Sequence, residues 1–175
     1  VAPRPIGWIS TRGPLGDNLA PYSFFNAAAY VPPQVMFAST GLKDSVQNIR
    51  DTGVFCVNVV GEAHMQAMSD TSAALPRGQD EFARTGLAKA ECRIVAAPRV
   101  ADAPAALECR MTDVITLKGR NNFLILGEVV GVHLRDDCLT NGLFDATRFH
   151  PVARMGYRGY TVVREVFDMN RPDET

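Results

Sequence analysis

Residues 106–134 read ALECRMTDVITLKGRNNFLILGEVVGVHL. Two apolar, β-branched stretches, residues 106–117 and 123–134, flank the polar segment KGRNN at 118–122. Glycine and asparagine favour the backbone angles of tight turns, so this stretch predicts a long β-hairpin. Antiparallel pairing is therefore the starting hypothesis for the fold.

Further strands are predicted on both sides of this hairpin. They are residues 6–11, 19–29, 35–40, 54–60 and 156–166, each rich in apolar or β-branched residues. Pro21 cannot donate a ladder hydrogen bond, so its strand is expected at a sheet edge or with a bulge.

Helices are predicted at three places. Asp44-Ser45-Val46-Gln47 has the spacing of a capping box with Asp44 as N-cap, and Gly53 lies where a C-cap glycine belongs. Residues 62–74 are predicted as a second helix, and residues 80–86 as a short helical turn or a loop. Because strands and helices do not alternate, a parallel doubly wound sheet is disfavoured. We expect a mainly β, Greek-key-like antiparallel barrel with helices over its ends.

Length and composition bound the function. The 175 residues predict a single domain over 1–175. A net charge of -1 argues against bulk binding of nucleic acid or anionic membrane, and no apolar run approaches the ~20 residues of a membrane helix. The four dispersed cysteines favour a reducing, cytoplasmic location. Because the chain starts at Val1 without a signal pattern, we expect a short N-terminal piece to be missing.

Several common chemistries have no motif here. Gly-x-Gly-x-x-Gly, the P-loop, His-Glu-x-x-His and Gly-x-Ser-x-Gly are all absent. The histidines His64, His133 and His150 are dispersed, so no metal site is predicted. Residue types alone leave a Ser/His/Asp hydrolase open.

The segment between the third strand and the first helix has the chemistry of a phosphate site. A helix start exposes unpaired N–H groups, and here Lys43 and the hydroxyls of Ser39, Thr40 and Ser45 lie beside it. The alternative is a capped helix with a solvated lysine. The Asp44 carboxylate would repel a phosphate unless it caps its own helix.

Residues 18–26, NLAPYSFFN, mix amides, aromatics and small residues, so their backbone could face a planar ligand. An ordinary core strand is the alternative. His150 is a weak catalytic candidate that could orient a nicotinamide or an acceptor, and a packing role is the alternative. His133 is interpreted as structural, and Glu108 and Asp113 as solvated strand positions.

An ordered set of segments resembles a known family. The set begins with PRPIGWIST (3–11), NLAPYSFFN (18–26), PPQVMF (32–37) and KDSVQNI (43–49), and continues with TGVFCVN (52–58), DEFARTGL (80–87), AALEC (105–109) and PVARMG (151–156). These segments are similar to the flavin reductase-like family of FMN-binding split-barrel proteins. That family includes reductase components of two-component monooxygenases, such as nitrilotriacetate monooxygenase component B, and flavoredoxins.

The resemblance implies a homodimer with FMN at or near the subunit interface. It implies that Trp8, Ile9, Ser10 and Thr11 lie beside the flavin and that the ring is contacted by Asn18, Leu19, Ala20, Pro21, Tyr22 and Ser23. The ribityl chain and phosphate would be held by Ser39, Thr40, Lys43 and Ser45. Weaker candidates, from elsewhere in the dimer, are Arg84, Arg154, Gly156 and Tyr157.

The implied activity is reduction of FMN by NADH or NADPH, with electrons passed to a monooxygenase or another acceptor. Two departures from the family pattern are Ser45, where a threonine is frequent, and Tyr157, where a second glycine is frequent. Tyr157 could narrow the site above the flavin. An FMN-binding electron carrier or redox sensor is the alternative, and a cofactor-free barrel that mediates interactions is a third possibility.

Overall fold

A computed structural model describes residues 1–172. Its strands are β1 (Arg4–Pro5), β2 (Gly7–Gly13), β3 (Gly16–Tyr22), β4 (Phe25–Ala29), β5 (Gln34–Thr40), β6 (Val54–Val59), β7 (Lys89–Glu91), β8 (Pro98–Val100), β9 (Ala105–Leu117), β10 (Asn122–Leu134), β11 (Leu139–Thr140), β12 (Leu143–Phe144), β13 (Val152–Gly156) and β14 (Gly159–Val162). Its α-helices are α1 (Asp44–Thr52), α2 (Met65–Asp70) and α3 (Glu81–Thr85), and 3-10 turns cover Glu62–His64, Asp136–Cys138 and Ala146–Arg148.

A seven-stranded antiparallel sheet with the order β3-β2-β6-β9-β10-β5-β4 forms the barrel. The predicted β9–β10 hairpin is confirmed and pairs from Asn122 with Leu117 to Leu134 with Ala105. The sheet's two edges, β3 and β4, follow one another in the chain, and no ladder between them occurs in residues 1–172. The barrel is therefore split at this point, and Pro21 lies on an edge strand as predicted.

The barrel interior is apolar and tightly packed. Ile9, Phe37, Phe55 and Ile125 are fully buried there, with Ile49 of α1 packed among them. The Phe37 and Phe55 rings meet edge to face with centroids 5.7 Å apart, a favoured aromatic geometry. Helix α1 thus closes one end of the barrel with its apolar side.

A second core lies outside β2. Trp8, Leu19, Val60, Met68 and Phe82 are buried there, between the sheet and the helices α2 and α3. Three small sheets complete the fold: β1-β13-β14, β7-β8 and β11-β12. Within residues 1–172, no helix is both long enough and apolar enough to cross a membrane.

Two predicted strands are wrong in extent. Residues 19–29 form two strands, because a bend at Ser23 and Phe24 carries the chain from one sheet edge to the other. Residues 156–166 do not form one strand, because Gly156 and Tyr157 adopt positive φ and turn the chain into the β13–β14 hairpin.

The helical segments also differ from the predictions. The N-cap residue of α1 is Lys43 rather than Asp44, and no side chain caps this helix start. The predicted helix over residues 62–74 is a 3-10 turn followed by α2, which ends at Asp70. Gly53 is a left-handed C-cap as predicted, and residues 80–86 contain α3.

Glu108 is not solvated but buried, whereas Asp113 is exposed as predicted. The Glu108 side chain lies on the outer face of β9, where residues 93–95 cover it and donate backbone hydrogen bonds to it. The alternation of inward and outward residues along β9 cannot predict this burial, because the residues that cover Glu108 come from a separate loop.

Candidate functional site

A cavity of about 360 Å³ lies where β3, the start of α1 and residues 71–77 meet. This volume is at the lower end of the range for small-molecule sites. The edge strand β3 forms one wall, and the first turn of α1 forms the second. Residues 71–77, which connect α2 to α3, form the third wall.

Three buried polar side chains fix the base of the cavity. Ser45 Oγ donates to Asn18 Oδ1 at 2.6 Å, and Asn18 Nδ2 donates to the Glu81 carboxylate at 3.0 and 3.1 Å. Glu81 Oε2 also accepts the backbone N–H of Leu19 at 2.9 Å. This network joins α1, β3 and α3, and it fixes the Asn18 side chain in one orientation.

The Glu81 carboxyl is unusual because it is buried without a cation partner within residues 1–172. Burial raises its pKa, although hydrogen bonds from Leu19 and Asn18 oppose this effect. The nearby Asp44 carboxylate raises it further.

The rim of the cavity carries both signs of charge. Asp44 Oδ2 accepts the backbone N–H of Gly78 at 2.9 Å, and Asp44 Oδ1 lies 3.7 Å from Arg77 Nε. Arg77 also donates to the carbonyl of Leu42 at 2.8 Å. The Asp44 charge is therefore neutralised by Arg77 and turned toward residues 77–78, which weakens its repulsion of an anion at the helix start.

Lys43 has no carboxylate within 4 Å in the described part of the chain. Its Nζ lies 5.9 Å from the centroid of the Tyr22 ring. Because no side chain caps α1, the N–H groups of its first turn lack a side-chain acceptor. A lysine without an acidic partner beside an uncapped helix start is suited to hold a phosphate.

Tyr22 presents an unsatisfied polar atom at the cavity. Its ring packs against Phe37 with centroids 4.7 Å apart, and its hydroxyl is buried with no hydrogen-bond partner among residues 1–172. Burial raises the pKa of this hydroxyl, and the neighbouring Ser45 and Ser39 hydroxyls, which donate elsewhere, oppose that effect. Since a buried hydroxyl without a partner is costly, it is a natural contact for a bound polar ligand.

The outer edge of β3 offers hydrogen-bond acceptors. Leu19 donates its N–H to Glu81, so its backbone faces away from β2. Residues two apart on a strand face the same way, so the carbonyl of Pro21 has this orientation as well. Leu19 is fully buried, whereas Pro21 lines the cavity and has no N–H, so the accessible edge offers the Pro21 carbonyl to a planar amide-like ligand.

The structure brings part of the predicted site together. The cavity is lined by Asn18, Ala20, Pro21, Tyr22, Lys43 and Ser45. The side chains of Trp8, Ile9, Ser10, Thr11 and Leu19 are instead fully buried. Trp8 Nε1 donates to Thr71 Oγ1 at 2.9 Å, and Ser10 Oγ donates to the carbonyl of Pro98 at 2.6 Å.

Three further predicted residues lie near the cavity without lining it. Ser39 is buried and donates to the carbonyl of Gly41 at 3.0 Å, whereas Thr40 is exposed. Ser23 lies at the bend after β3 and accepts a 3.5 Å hydrogen bond from Arg4.

The remaining predicted residues lie elsewhere in the chain. Arg84 is exposed on α3, and Arg154 donates to the Tyr160 hydroxyl and the Tyr157 carbonyl within the β13–β14 hairpin. Gly156 and Tyr157 form the turn of that hairpin, and the Tyr157 side chain is fully exposed. His150 Nδ1 lies 3.1 Å from Glu62 in a separate cavity.

Residues 71–77 and Glu81 line the cavity and were not predicted. Residues 71–78, TSAALPRG, combine small residues with proline and glycine, which is the available signal for a loop rather than a helix. That signal does not show that the loop packs against β3 and α1.

Comparison with known proteins agrees with the split-barrel fold. The flavin reductase like domain family matches residues 2–153, nearly the whole chain. The chain belongs to this family. A protein of Deinococcus radiodurans, itself uncharacterised, is 43% identical to it over 98% of this chain and 81% of the relative.

Two solved structures extend this comparison. Nitrilotriacetate monooxygenase component B from Bacillus cereus is 28% identical with a TM-score of 0.91, covering 97% of this chain and 88% of that one. A 2-nitrobenzoate 2-nitroreductase from Pseudomonas fluorescens is 27% identical with a TM-score of 0.90, covering 99% and 87%. The chain therefore has a flavin reductase-like fold over almost its full length.

Proposed function

We propose that this protein binds FMN in the cavity between β3, α1 and residues 71–77, and reduces it with NADH or NADPH. Electrons then pass to a partner protein or a small acceptor. The observation that carries the proposal is Lys43, which has no acidic partner in residues 1–172, beside the uncapped start of α1. Both features lie in a cavity of a flavin reductase-like chain.

The phosphate end of FMN is assigned to the start of α1. Lys43 and the first N–H groups of the helix supply positive charge and hydrogen-bond donors there. Arg77 offsets the nearby Asp44 carboxylate. The Ser45 hydroxyl donates its proton to Asn18 Oδ1. While this hydrogen bond is intact, Ser45 Oγ can accept a hydrogen bond from the ligand but cannot donate one.

The ring end is assigned to the outer edge of β3. The backbone carbonyl of Pro21 is available as a hydrogen-bond acceptor, and the Tyr22 hydroxyl is available as a donor or an acceptor. When bound, FMN supplies the hydride and electron chemistry, and the protein binds and orients it. This role requires no protein acid or base, which agrees with a cavity that holds no histidine.

The acceptor is proposed by analogy with two relatives. One is a component of a monooxygenase and the other a nitroreductase by name. A monooxygenase partner and a small nitro compound can each take electrons from a reduced flavin. This chain is therefore proposed to pass electrons either to a monooxygenase partner or to a small oxidant.

A homodimer completes the proposal. Tyr30, Val31, Tyr157 and Phe167 are large apolar side chains that are more than four-fifths exposed. Such groups mark a protein interface where they form one contiguous patch. The cavity of this chain is not lined by Arg84, Arg154 or Tyr157. In a homodimer, these residues of one subunit would contact the flavin bound to the other subunit. Light scattering during gel filtration tests the dimer.

The function is tested by steady-state oxidation of NADH and NADPH with added FMN. The proposal expects FMN-dependent oxidation that saturates with FMN. If bound FMN is retained but neither nicotinamide is oxidised, the protein is an electron carrier or redox sensor instead. If the purified protein neither contains nor binds FMN, the proposal is wrong.

A further inference from the structure

A second group of chemically reactive side chains lies apart from the cavity. Cys92 follows β7, Glu108 lies on β9, and His133 lies on β10. The thiol sulfur, a carboxylate oxygen and a ring nitrogen of these residues all lie within 4.8 Å of one another. None of the three residues lines the proposed flavin cavity.

Strand register brings two of these groups together. Glu108 pairs with Gly131 across β9 and β10, and His133 is two residues further on the same face. A Cβ at Gly131 would lie 3.3 Å from Glu108 Cδ and 2.9 Å from Ile94 Cδ1. Glycine at this position therefore leaves space for the carboxylate to lie across the strand toward His133.

The Glu108 carboxylate is oriented by the protein backbone. Oε1 accepts the N–H of Arg93 at 2.8 Å, and Oε2 accepts those of Ile94 and Val95 at 2.6 and 2.9 Å. These three hydrogen bonds hold the carboxylate in one orientation, as outer contacts hold a metal ligand.

One acceptor position of this carboxylate remains for a ligand. A carboxylate has about four lone-pair positions, and three of them accept backbone N–H groups. The fourth faces His133 Nε2, 2.6 Å from Oε1. An ion placed between these two atoms would exchange one hydrogen bond for two coordinate bonds and leave the backbone contacts intact.

We propose that Cys92, Glu108 and His133 form a three-ligand site for zinc. Thiolate and imidazole are ligands that select zinc over magnesium and calcium. Zinc bonds of about 2.0–2.3 Å place ligand atoms roughly 3–4 Å apart, so small side-chain movements suffice. The His133 side chain is 14% exposed and Cys92 is half-buried, which leaves the fourth position to water. This proposal is independent of the proposed flavin function.

The test is cobalt and zinc binding to the purified, chelator-treated protein in a thiol-free reducing buffer. Cobalt difference spectra report thiolate ligation through a sulfur-to-cobalt charge-transfer band, whatever the flavin content. We expect one cobalt per chain with this band, and displacement of cobalt by one equivalent of zinc. Zinc affinity is then measured by competition with a chromophoric chelator.

Two variants and two matched controls make the test specific. Cys92→Ser should abolish the charge-transfer band. His133→Gln should weaken zinc binding by at least about 100-fold, because loss of a residue that only orients a ligand already lowers metal affinity by up to about 100-fold. Cys138→Ala and His150→Gln change residues outside this three-residue cluster and should bind zinc as the parent does. Absence of stoichiometric binding, or binding unchanged in both Cys92→Ser and His133→Gln, would overturn the proposal.

Discussion

Ser45 Oγ lies 2.6 Å from Asn18 Oδ1 and donates its proton to it, which joins the first turn of α1 to the edge strand β3. Both side chains are buried, and Asn18 is held in turn by Glu81. The two walls of the proposed FMN site are therefore positioned before any ligand arrives, because the hydrogen bond fixes their separation.

Ser45→Ala should destabilise the protein by about 1–3 kcal/mol, because the buried Asn18 Oδ1 would lose its donor. Urea unfolding monitored by circular dichroism measures this. Ser72→Ala, at an exposed hydroxyl on the same cavity, is the control and should change stability by less than about 0.5 kcal/mol. Equal effects of the two substitutions would show that the Ser45–Asn18 hydrogen bond does not stabilise the fold.

Lys43→Ala should weaken FMN binding by roughly 1.5–3 kcal/mol, the scale of a charged hydrogen bond. Riboflavin, which lacks the phosphate, should bind the variant and the parent equally. Titration of each flavin by fluorescence quenching measures both affinities. Lys118→Ala, in the β9–β10 turn, removes the same charge elsewhere and should leave both unchanged. Unchanged FMN affinity in Lys43→Ala would remove this lysine from the phosphate site.

Thr71→Val should cost about 1–3 kcal/mol of stability and lower FMN affinity. The buried Trp8 indole N–H would lose its acceptor, and Thr71 begins the loop that forms the third wall. Trp8 is the single tryptophan, so its emission reports the change directly. The exposed Thr112→Val is the matched control. Normal tryptophan emission and FMN affinity in Thr71→Val would contradict the anchoring role of this hydrogen bond.

Glu81 should make stability depend on pH. Since burial raises its folded-state pKa, the folded protein binds this proton more tightly than the unfolded chain does. The protonated Glu81 carboxyl therefore contributes to the free energy of unfolding at low pH. This contribution is lost as the pH rises from about 4.3, the ordinary glutamate pKa, through the raised pKa of the folded state. Glu81→Gln should therefore gain stability relative to the parent across that window.

The matched control for Glu81 is Glu91→Gln. Hydrogen bonding to Arg12 lowers the pKa of Glu91, so the relative stability of that variant should change in the opposite direction with pH. Chemical denaturation at a series of pH values measures both. Parallel pH profiles for Glu81→Gln and the parent protein would contradict the raised pKa.

Gly127→Ala should destabilise the barrel by about 1–3 kcal/mol through overpacking. Its Cβ would lie 2.5 Å from Phe55 Cζ in the fully packed interior. Phe55→Leu shortens that side chain, so the glycine substitution should cost less in that background. Thermal unfolding of the four proteins of this cycle measures the coupling, and strictly additive effects would show that the two positions do not clash.

Local sequence signals predicted the elements whose causes are local. The turn at 118–122 fixed the β9–β10 hairpin, Gly53 ended α1, and Pro21 marked an edge strand. The chemistry of the helix start pointed to Lys43 and Ser45, and the resemblance then supplied the split barrel and the β3 residues Asn18, Ala20, Pro21 and Tyr22 that line the cavity.

Features that depend on distant contacts were not predictable from local pattern. Asp44 has the residue type of an N-cap, but its carboxylate bonds Gly78, more than thirty residues away. Glu108 has the position of a solvated strand residue until residues 93–95 cover it. Sequence spacing likewise gave no reason to join Cys92 with His133, because strand register places His133 beside Glu108 and the loop after β7 packs over that carboxylate.

The proposed reductase activity is measured by the anaerobic absorption spectrum of the FMN-loaded protein before and after NADH or NADPH is added. We expect one of these nicotinamides to bleach the visible flavin bands faster than it bleaches free FMN, and we expect Lys43→Ala to require more FMN for the same effect. If neither nicotinamide bleaches bound flavin faster than free FMN, the proposed reductase activity is contradicted.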